Sequence, residues 1–362
     1  MGTNLNQSEV LLEQKVAFLR TTSAYAHRPT AIEAVETHMA WVFLAGEFAF
    51  KIKKPVRYPF LDFSTLAARE FTCREEVRLN ERLAPGVYLG VVALKKGSNG
   101  QLNIGGEGET VDWLVKMKRL PTSRMLDTAI AAGTVKRTEV INVAHLLANF
   151  YREASRVSQL GEDVYARFVF EHHKNVEVLS QRGFALDHSL TNVVVETATH
   201  ALEDVRPLIE DRASGGMIVE GHGDLRPEHV CLVSPPVIID CLEFNRDLRL
   251  VDPYDEIAFL DLECMRLGAR WIGNQLLEIV AQELGSQPPH RLMAFYRAAR
   301  ALLRARLTLS HLTEPNPRTP EKWEPRARGY IELANANLSE FGDGNQRLAT
   351  ASSSEWHPKL TA

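Results

Sequence analysis

The chain has 362 residues, 45% of them hydrophobic and 24% charged, with a formal net charge of −4. That length suits two lobes rather than one small core, and the slightly acidic balance excludes a basic nucleic-acid footprint over the whole chain. Four cysteines without a CxxC spacing exclude a disulfide framework or zinc ribbon; no apolar run approaches the roughly 18 residues of a membrane helix, and MGTNLNQSEVLLEQ lacks the order of a secretory leader, so a cytoplasmic chain with no membrane partner is expected.

Residues 8–20 (SEVLLEQKVAFLR) place apolar side chains at helical spacing behind Ser8 as N-cap. Residues 1–29 thus form an expected N-terminal helical extension. Three β-rich segments follow, AIEAVETH, MAWVFLAG and EFAFKIKK, the last two joined as a hairpin across Ala45-Gly46-Glu47. KPVRYPFLDFSTL reads as an aromatic-anchored loop. STLAAREFTCREEVRLNERLAP reads as a helix capped by Ser64 or Thr65 and closed by Pro85. GVYLGVVALKK and VDWLVKMKRLP are two more strands, separated by a glycine-rich turn from Gly97 to Gly108. The order β-β-β-α-β-β predicts a small sheet with one helix over residues 30–120.

Past Pro121 the pattern turns helical. TEVINVAHLLANFYREASRV, TNVVVETATHALEDVRPLIEDRA and DEIAFLDLECMRLGARWIGNQLLEIVAQEL predict long amphipathic runs, with a late helix inside 293–312 and a short β island from Ile218 to Asp240. Residues 121–340 form the expected helical lobe. Residues 341–362 are polar and small and read as a disordered tail. The fold class is α+β.

Inside the island, a strand leads into His222-Gly223-Asp224; a polar loop, VCLV, a turn at Pro235-Pro236 and VIID follow. A hairpin of that length is expected to bring Asp224 and Asp240 to one edge together with a histidine. Two such carboxylates suit a metal–phosphate site, one positioning a hydroxyl and taking its proton, the other holding Mg2+ on a nucleotide. Taken singly, each aspartate reads equally well as a turn cap or a strand end.

HGDLRPEH followed by IIDCLEF resembles the catalytic and metal loops of the aminoglycoside phosphotransferase family within the protein-kinase-like superfamily. THMAWVFLAGEFAFKIKKPVRYPFLDFSTL, LNERLAPGVYLGVV and DCLEFNRDLRLVDPYDEIAFLDLE resemble the bacterial members sometimes fused to a P-loop ATP-binding domain. The likeness covers roughly residues 30–310. The chain holds no GxxxxGK[ST], so its nucleotide is expected in the kinase-like cleft. The resemblance implies a protein-kinase-like two-lobe fold, with a small N-terminal antiparallel sheet plus helix and a larger, mostly helical C-terminal lobe. It implies ATP-dependent transfer of the γ-phosphoryl group, with Mg2+, to a hydroxyl of a small molecule, aminoglycoside or sugar-like.

Residue by residue, the resemblance implies Asp224 as the catalytic aspartate, His222 as the organiser of its loop, and Arg226 as a stabiliser of transferring charge. Asp240 would be the main Mg2+ ligand. In FAFKIKK, alternation puts Lys51 and Lys53 on one face, and the pattern favours Lys51 as the phosphate lysine. Its helix partner is Glu75 or Glu76; Glu76 is preferred because it shares the face of Leu79 and Leu83. Thr37-His38-Met39 lies where a loop covering the phosphates is expected, and the backbone from Met117 to Pro121 would take adenine. One position departs: the family has asparagine where this chain has His229. Imidazole suits Mn2+ better than Mg2+. Three uses stand open: hydrogen bonding beside a single metal on Asp240, a preference for Mn2+, or a weakened, regulatory site.

Two other function classes compete. A nucleotide-binding pseudokinase would explain His229. A metallohydrolase would use His222, Asp224, His229 and Asp240 as ligands. The acidic run DPYDEIAFLDLE offers Asp252, Asp255, Glu256, Asp261 and Glu263 to attract a cationic acceptor; against this, Asp252 and Asp255 read as helix caps that brace the catalytic loop.

Overall fold

A computed structural model describes residues 10–313, 317 and 319–353, without the side chains of 343–353. The chain divides into two compact units: one runs to Thr128 and includes Glu228–Arg249, the other comprises Ala129–Pro227 and the chain from Leu250 onward. The division is discontinuous where the sequence pattern reads as two successive lobes.

The first unit opens with α1 (Leu12–Leu19), where Gln14 Oε1 accepts the Leu11 N–H at 2.9 Å. Ser8, the expected cap, lies outside the described residues. The strands β1 (Ile32–Glu36), β2 (Ala40–Ala45) and β3 (Phe48–Lys53) follow, then a small hairpin of β4 (Arg57–Tyr58) and β5 (Leu61–Asp62) inside the expected aromatic loop. After α2 (Leu66–Asn80) come β6 (Tyr88–Lys96), β7 (Leu102–Ile104) and β8 (Glu109–Lys118). Six of these strands form one antiparallel sheet in the order β1-β2-β3-β8-β6-β7. Gly46 turns the β2–β3 hairpin at φ 60°, a backbone state that favours glycine. Thr65 Oγ1 accepts the Ala68 N–H at 3.1 Å, so Thr65 caps α2, while Ser64 bonds Asp62. β7 falls in the glycine-rich stretch; three residues are too few for alternation to register.

Leu19 and Tyr25 from the N-terminal segment pack with Phe43, Phe50, Ile52 and Leu114 of the sheet in one buried cluster. Each large side chain so buried contributes about 1.5–3 kcal/mol. The buried Lys15 adds a polar tie, donating to Asp112 Oδ2 at 2.7 Å, while Arg69 Nε donates to Asp112 Oδ1 at 2.8 Å. The segment ahead of β1 is thus built into this unit.

Through α3 (Leu126–Ala131) the chain enters the second unit, with α4 (Arg137–Glu153), α5 (Gly161–Leu179), α6 (His188–Asp204), α7 (Arg206–Ser214) and β9 (Val219–Glu220). It returns to the first unit as a hairpin, β10 (Val230–Cys231) with β11 (Val237–Ile238), whose Cys231 and Val237 pack with Cys73, Ala84 and Val115. The second unit then resumes with β12 (Leu250–Val251), antiparallel to β9, and α8 (Pro253–Arg266), α9 (Arg270–Leu284), α10 (His290–Ser310) and α11 (Trp323–Ser353). The run 191–213 is two helices, broken at Val205 with a proline in the first turn of α7. The run 255–284 is likewise two, parted at Gly268 with φ 79°. Helix α11 carries the backbone through 341–353, where composition reads as a tail; its buried Ala334, Leu338 and Phe341 anchor it upstream. Residues 354–362 lie outside the described part. Among the described residues no helix is long and apolar enough to cross a membrane.

Candidate functional site

Strand β3 supplies the cations of the first unit's candidate site. Lys51 and Lys53 project from one face, because alternate strand residues point the same way. Glu76 on α2, fully buried, meets both: Oε1 accepts from Lys51 Nζ at 2.8 Å and Oε2 from Lys53 Nζ at 2.6 Å. Its neighbour Glu75 pairs with Arg78 instead, so helical phase separates two otherwise equivalent glutamates. Lys51 also donates to Asp240 Oδ1 at 2.8 Å, and Lys53 to Glu243. The result is a row of alternating charge, Asp240–Lys51–Glu76–Lys53–Glu243. The sequence pattern leaves Lys51 and Lys53 as alternatives; both are engaged. Glu243 is not among the sequence candidates, and its one signal there is a carboxylate three places after Asp240 in IIDCLEF.

The loop carrying Asp240 is fastened by the end of α2, the turn after it and the start of β6. The Cys241 N–H donates to Asn80 Oδ1 at 2.9 Å, the Ile238 N–H to Leu83 O at 3.0 Å, and the Asp240 N–H to the Tyr88 hydroxyl at 3.2 Å. Asp240 adopts φ 63°, a left-handed state that aspartate tolerates better than most residues. Its side chain remains 45% exposed, and its Oδ2 lies 3.5 Å from Nε2 of the buried His229.

Loss of water would raise the Asp240 carboxyl, but the Lys51 ammonium and then His229 override it and hold the carboxyl well below the usual carboxylate range. Burial likewise opposes the charge on Lys51, yet Asp240 and Glu76 keep its ammonium well above the ordinary lysine range. Lys53 is raised in the same way, against burial, by Glu243 and Glu76. Both lysines are therefore held as cations.

The other candidates of this unit are engaged elsewhere on the sheet. Thr37 closes the β1–β2 turn, its N–H on Ala40 O at 2.8 Å and its Oγ1 receiving the Ala40 N–H at 3.0 Å. The His38 ring stacks on Tyr58 at 5.0 Å; Tyr58 stacks on Phe60 at 5.8 Å, and Phe60 meets Phe244 at 5.9 Å. Met117 stands in β8 opposite Ala49 and Tyr88. The N–H groups after it, of Lys118 and Arg119, donate to Val87 O and Glu47 O at 2.9 and 2.8 Å.

In the second unit, β9 leads into the His222-Gly223-Asp224 loop. Arg226 grips both Asp224 oxygens, Nε to Oδ1 at 3.0 Å and Nη2 to Oδ2 at 2.9 Å. The Asp224 N–H donates to His222 Nδ1 at 3.2 Å, so the buried His222 organises the turn. Beneath it sits Glu256 of α8, 1% exposed. Its carboxylate accepts the His222 N–H at 3.1 Å, the Gly223 N–H, and the Tyr151 hydroxyl at 3.0 Å. Burial pushes the Glu256 carboxyl up, opposed by those three bonds. The contact requires glycine at 221, since a Cβ there would stand 2.6 Å from Glu256 Oε2.

The N-cap and the other acids of α8 face arginines: Asp252 meets Arg212, Asp255 meets Arg300, Asp261 meets Arg297 at 2.6 Å, and Glu263 meets Arg266 at 2.6 Å and Arg304 at 3.2 Å. All four are buried. They brace the unit's core, and the expectation of an exposed acidic surface for a cationic acceptor finds no support in them. Among the described residues no group of three or more histidine, cysteine, aspartate or glutamate side chains is placed to hold a metal ion.

A six-stranded antiparallel sheet with one helix, joined to a mostly helical part, is the protein-kinase-like fold, and this chain has it. Solved structures it resembles include a choline/ethanolamine kinase family protein from Mesorhizobium loti, with a TM-score of 0.55, 15% identity and coverage of 92% of this chain and 98% of that one. Choline kinase LicA from Streptococcus pneumoniae matches with a TM-score of 0.54 and 13% identity, over 91% and 97% of the two chains. A glucosamine kinase matches with a TM-score of 0.52 and 12% identity, over 92% and 85%. In sequence, the chain is 34% identical over 295 residues to uncharacterized proteins of Mycobacterium tuberculosis and Mycobacterium bovis, covering 79% of this chain and 56% of each relative. It therefore spans about half the length of the curated relatives it matches. No family model matches the sequence.

Proposed function

We propose that the chain is an ATP-dependent phosphotransferase that moves the γ-phosphoryl group to a hydroxyl of a small molecule, an aminoglycoside or a sugar-like acceptor. The observation that carries this reading is the Lys51 ammonium, shared at 2.8 Å each between the buried Glu76 and the half-exposed Asp240. A lysine so placed stays charged and aimed beside a carboxylate that is 45% exposed, which is what binding of nucleotide phosphates asks of a site with little covalent chemistry to perform. The kinase-like fold and the amino-alcohol and amino-sugar kinases that share it support the same class.

In this reading Asp224 takes the acceptor's hydroxyl proton as its oxygen bonds the γ-phosphorus and the bond to the bridging oxygen of ADP breaks. Arg226 holds the Asp224 carboxylate and stabilises charge on the transferring group. His222 and Glu256 fix the loop. Asp240, with His229 beside it, would hold Mg2+; the donor set fits that ion, which takes one or two carboxylates and completes its shell with phosphates and water. The ion would neutralise phosphate charge. A cytoplasmic location, where ATP is available, belongs to the same proposal.

The test is an ATP-consumption screen over hydroxyl-bearing metabolites, amino sugars and aminoglycosides. Acceptor-dependent ATP loss is expected, falling about 100-fold or more in Asp224→Asn. Undiminished turnover in that variant, or no nucleotide binding at all, would sink the reading. A nucleotide-binding module without transfer is the second reading, favoured by the two-pronged grip of Arg226 on Asp224. ATP binding with no phosphate loss under any acceptor would select it.

A further inference from the structure

Asp240 holds φ at 63°, a left-handed state that a residue with a Cβ keeps only where its surroundings fix it. Two backbone torsions set how its side chain leaves the loop. One turns the peptide plane that carries the Asp240 N–H, the other the plane that carries the Cys241 N–H. Both planes are held by side chains from other elements. The Asp240 N–H donates to the Tyr88 hydroxyl at 3.2 Å, and the Cys241 N–H to Asn80 Oδ1 at 2.9 Å. The two N–H groups before them end on backbone, Ile239 on His229 O at 2.9 Å and Ile238 on Leu83 O at 3.0 Å. Successive N–H groups from 238 to 241 are thus all engaged, and the two that flank the Asp240 Cα are the two taken by side chains.

Asn80 and Tyr88 are themselves fixed. Asn80 is fully buried, and its Nδ2 donates to Glu76 O at 2.8 Å, one turn back on α2, which leaves Oδ1 turned to the loop. Tyr88 is 5% exposed and packs with Cys73, Ala84 and Val115. Removing the Tyr88 hydroxyl would keep the ring and leave a part-buried N–H without its acceptor, which costs free energy until the peptide turns to another partner. Such a turn changes φ of Asp240, and with it the direction of the carboxylate.

We propose that Asn80 and Tyr88 are positioning residues that set the direction of the Asp240 carboxylate for Mg2+ by pinning the two peptide planes on either side of it. The inference rests on the reading of Asp240 as the metal ligand.

The experiment is calorimetric titration of the intact 362-residue chain with ATP, once with excess Mg2+ and once with EDTA, for wild type, Tyr88→Phe and Asn80→Leu, each verified as folded by circular dichroism. The quantity read is the factor by which Mg2+ tightens ATP binding. A misdirected Asp240 loses the metal-dependent part of the affinity, while Lys51 still meets the phosphates without the ion. Each variant is expected to lower the Mg2+ factor by about fivefold, as loss of one hydrogen bond does, with ATP affinity in EDTA within about twofold of wild type. An unchanged Mg2+ factor in either folded variant overturns the role of that residue. Equal weakening with Mg2+ and with EDTA makes the contact purely structural and overturns the proposal. Should Asn80→Leu not fold, Tyr88→Phe decides, since it keeps the buried ring. Wild type that binds ATP with no gain from Mg2+ removes Asp240 as the ligand and the proposal with it. No ATP binding by wild type under either condition removes the phosphotransferase reading itself.

Discussion

At the scale of single residues, the loop before Asp224 depends on one missing methyl group. Gly221 lets the Glu256 carboxylate reach the N–H groups of His222 and Gly223. Gly221→Ala should push the carboxylate away and destabilise the chain by about 1–3 kcal/mol, as overpacking does. A urea midpoint equal to wild type would contradict this. His229 makes a second residue-level prediction. Its Nε2 stands 3.5 Å from Asp240 Oδ2, a spacing that suits a supporting contact to a carboxylate that itself holds the metal. Turnover with Mg2+ should then equal or exceed turnover with Mn2+ at neutral pH; a clear Mn2+ advantage would make the imidazole a ligand. The sequence makes Lys51, Glu76, Asp224 and Asp240 visible because their motifs are short and local. Glu243 and Glu256 stay hidden there for a physical reason. Lys53 and Glu243 are 190 positions apart, and Glu256 is one of five neighbouring acids whose roles depend on helical phase and distant partners.

At the scale of elements, polar contacts lock helices that hydrophobic burial alone would leave free to slide. Helix α1 is tied to β8 by Lys15 on Asp112, a carboxylate it shares with Arg69. Lys15→Met keeps the apolar stem and removes one cation from a buried carboxylate, so a loss of about 3 kcal/mol or somewhat less is expected, since Arg69 remains. Thermal melting checks it, and an unchanged midpoint would refute it. A histidine joins α5 to α6: a ring nitrogen of His172 lies 2.8 Å from Thr199 Oγ1. Burial, and then the neighbouring His173, lower its pKa from the ordinary histidine value. As pH falls below about 6.5, the unfolded chain takes up the proton first, so stability is lost towards acid. His172→Gln should flatten that loss; melting at pH 7.5, 6.5 and 5.5 reads it, and an unaltered slope would exclude the role. The five longer strands of the first unit, β1, β2, β3, β6 and β8, were legible from alternation and the hairpin from its glycine. The breaks at Val205 and Gly268 were not, because apolar periodicity continues across both of them.

At the scale of the whole molecule, length and composition point to two parts, and there are two. Their membership is less legible. Residues 228–249 belong with the sheet, although they follow about a hundred residues of the helical unit. The cause is specific bonding: Asn80, Leu83 and Tyr88 take the backbone of the Asp240 loop, and Lys53 takes Glu243. Such pairings leave no local trace in the amino-acid order, because neither partner departs from its own segment's pattern. One expectation follows for unfolding: a chain in two units should melt in more than one step, and probes in β3 and α8 should report separate midpoints. Coincident curves would mean that the units unfold together.

The interrupted path of the first unit has a consequence in time. A ribosome delivers Lys51, Lys53 and Glu76 long before Asp240 and Glu243, and at about 5–20 residues per second the delay is roughly 10–30 seconds. Throughout that interval two ammonium groups share one carboxylate, an imbalance that favours water around β3 over a closed face. The late carboxylates complete the row and seal it. Nascent chains stalled before residue 240 should therefore be cut by protease within β3 and α2, and chains carried well past residue 249 should resist.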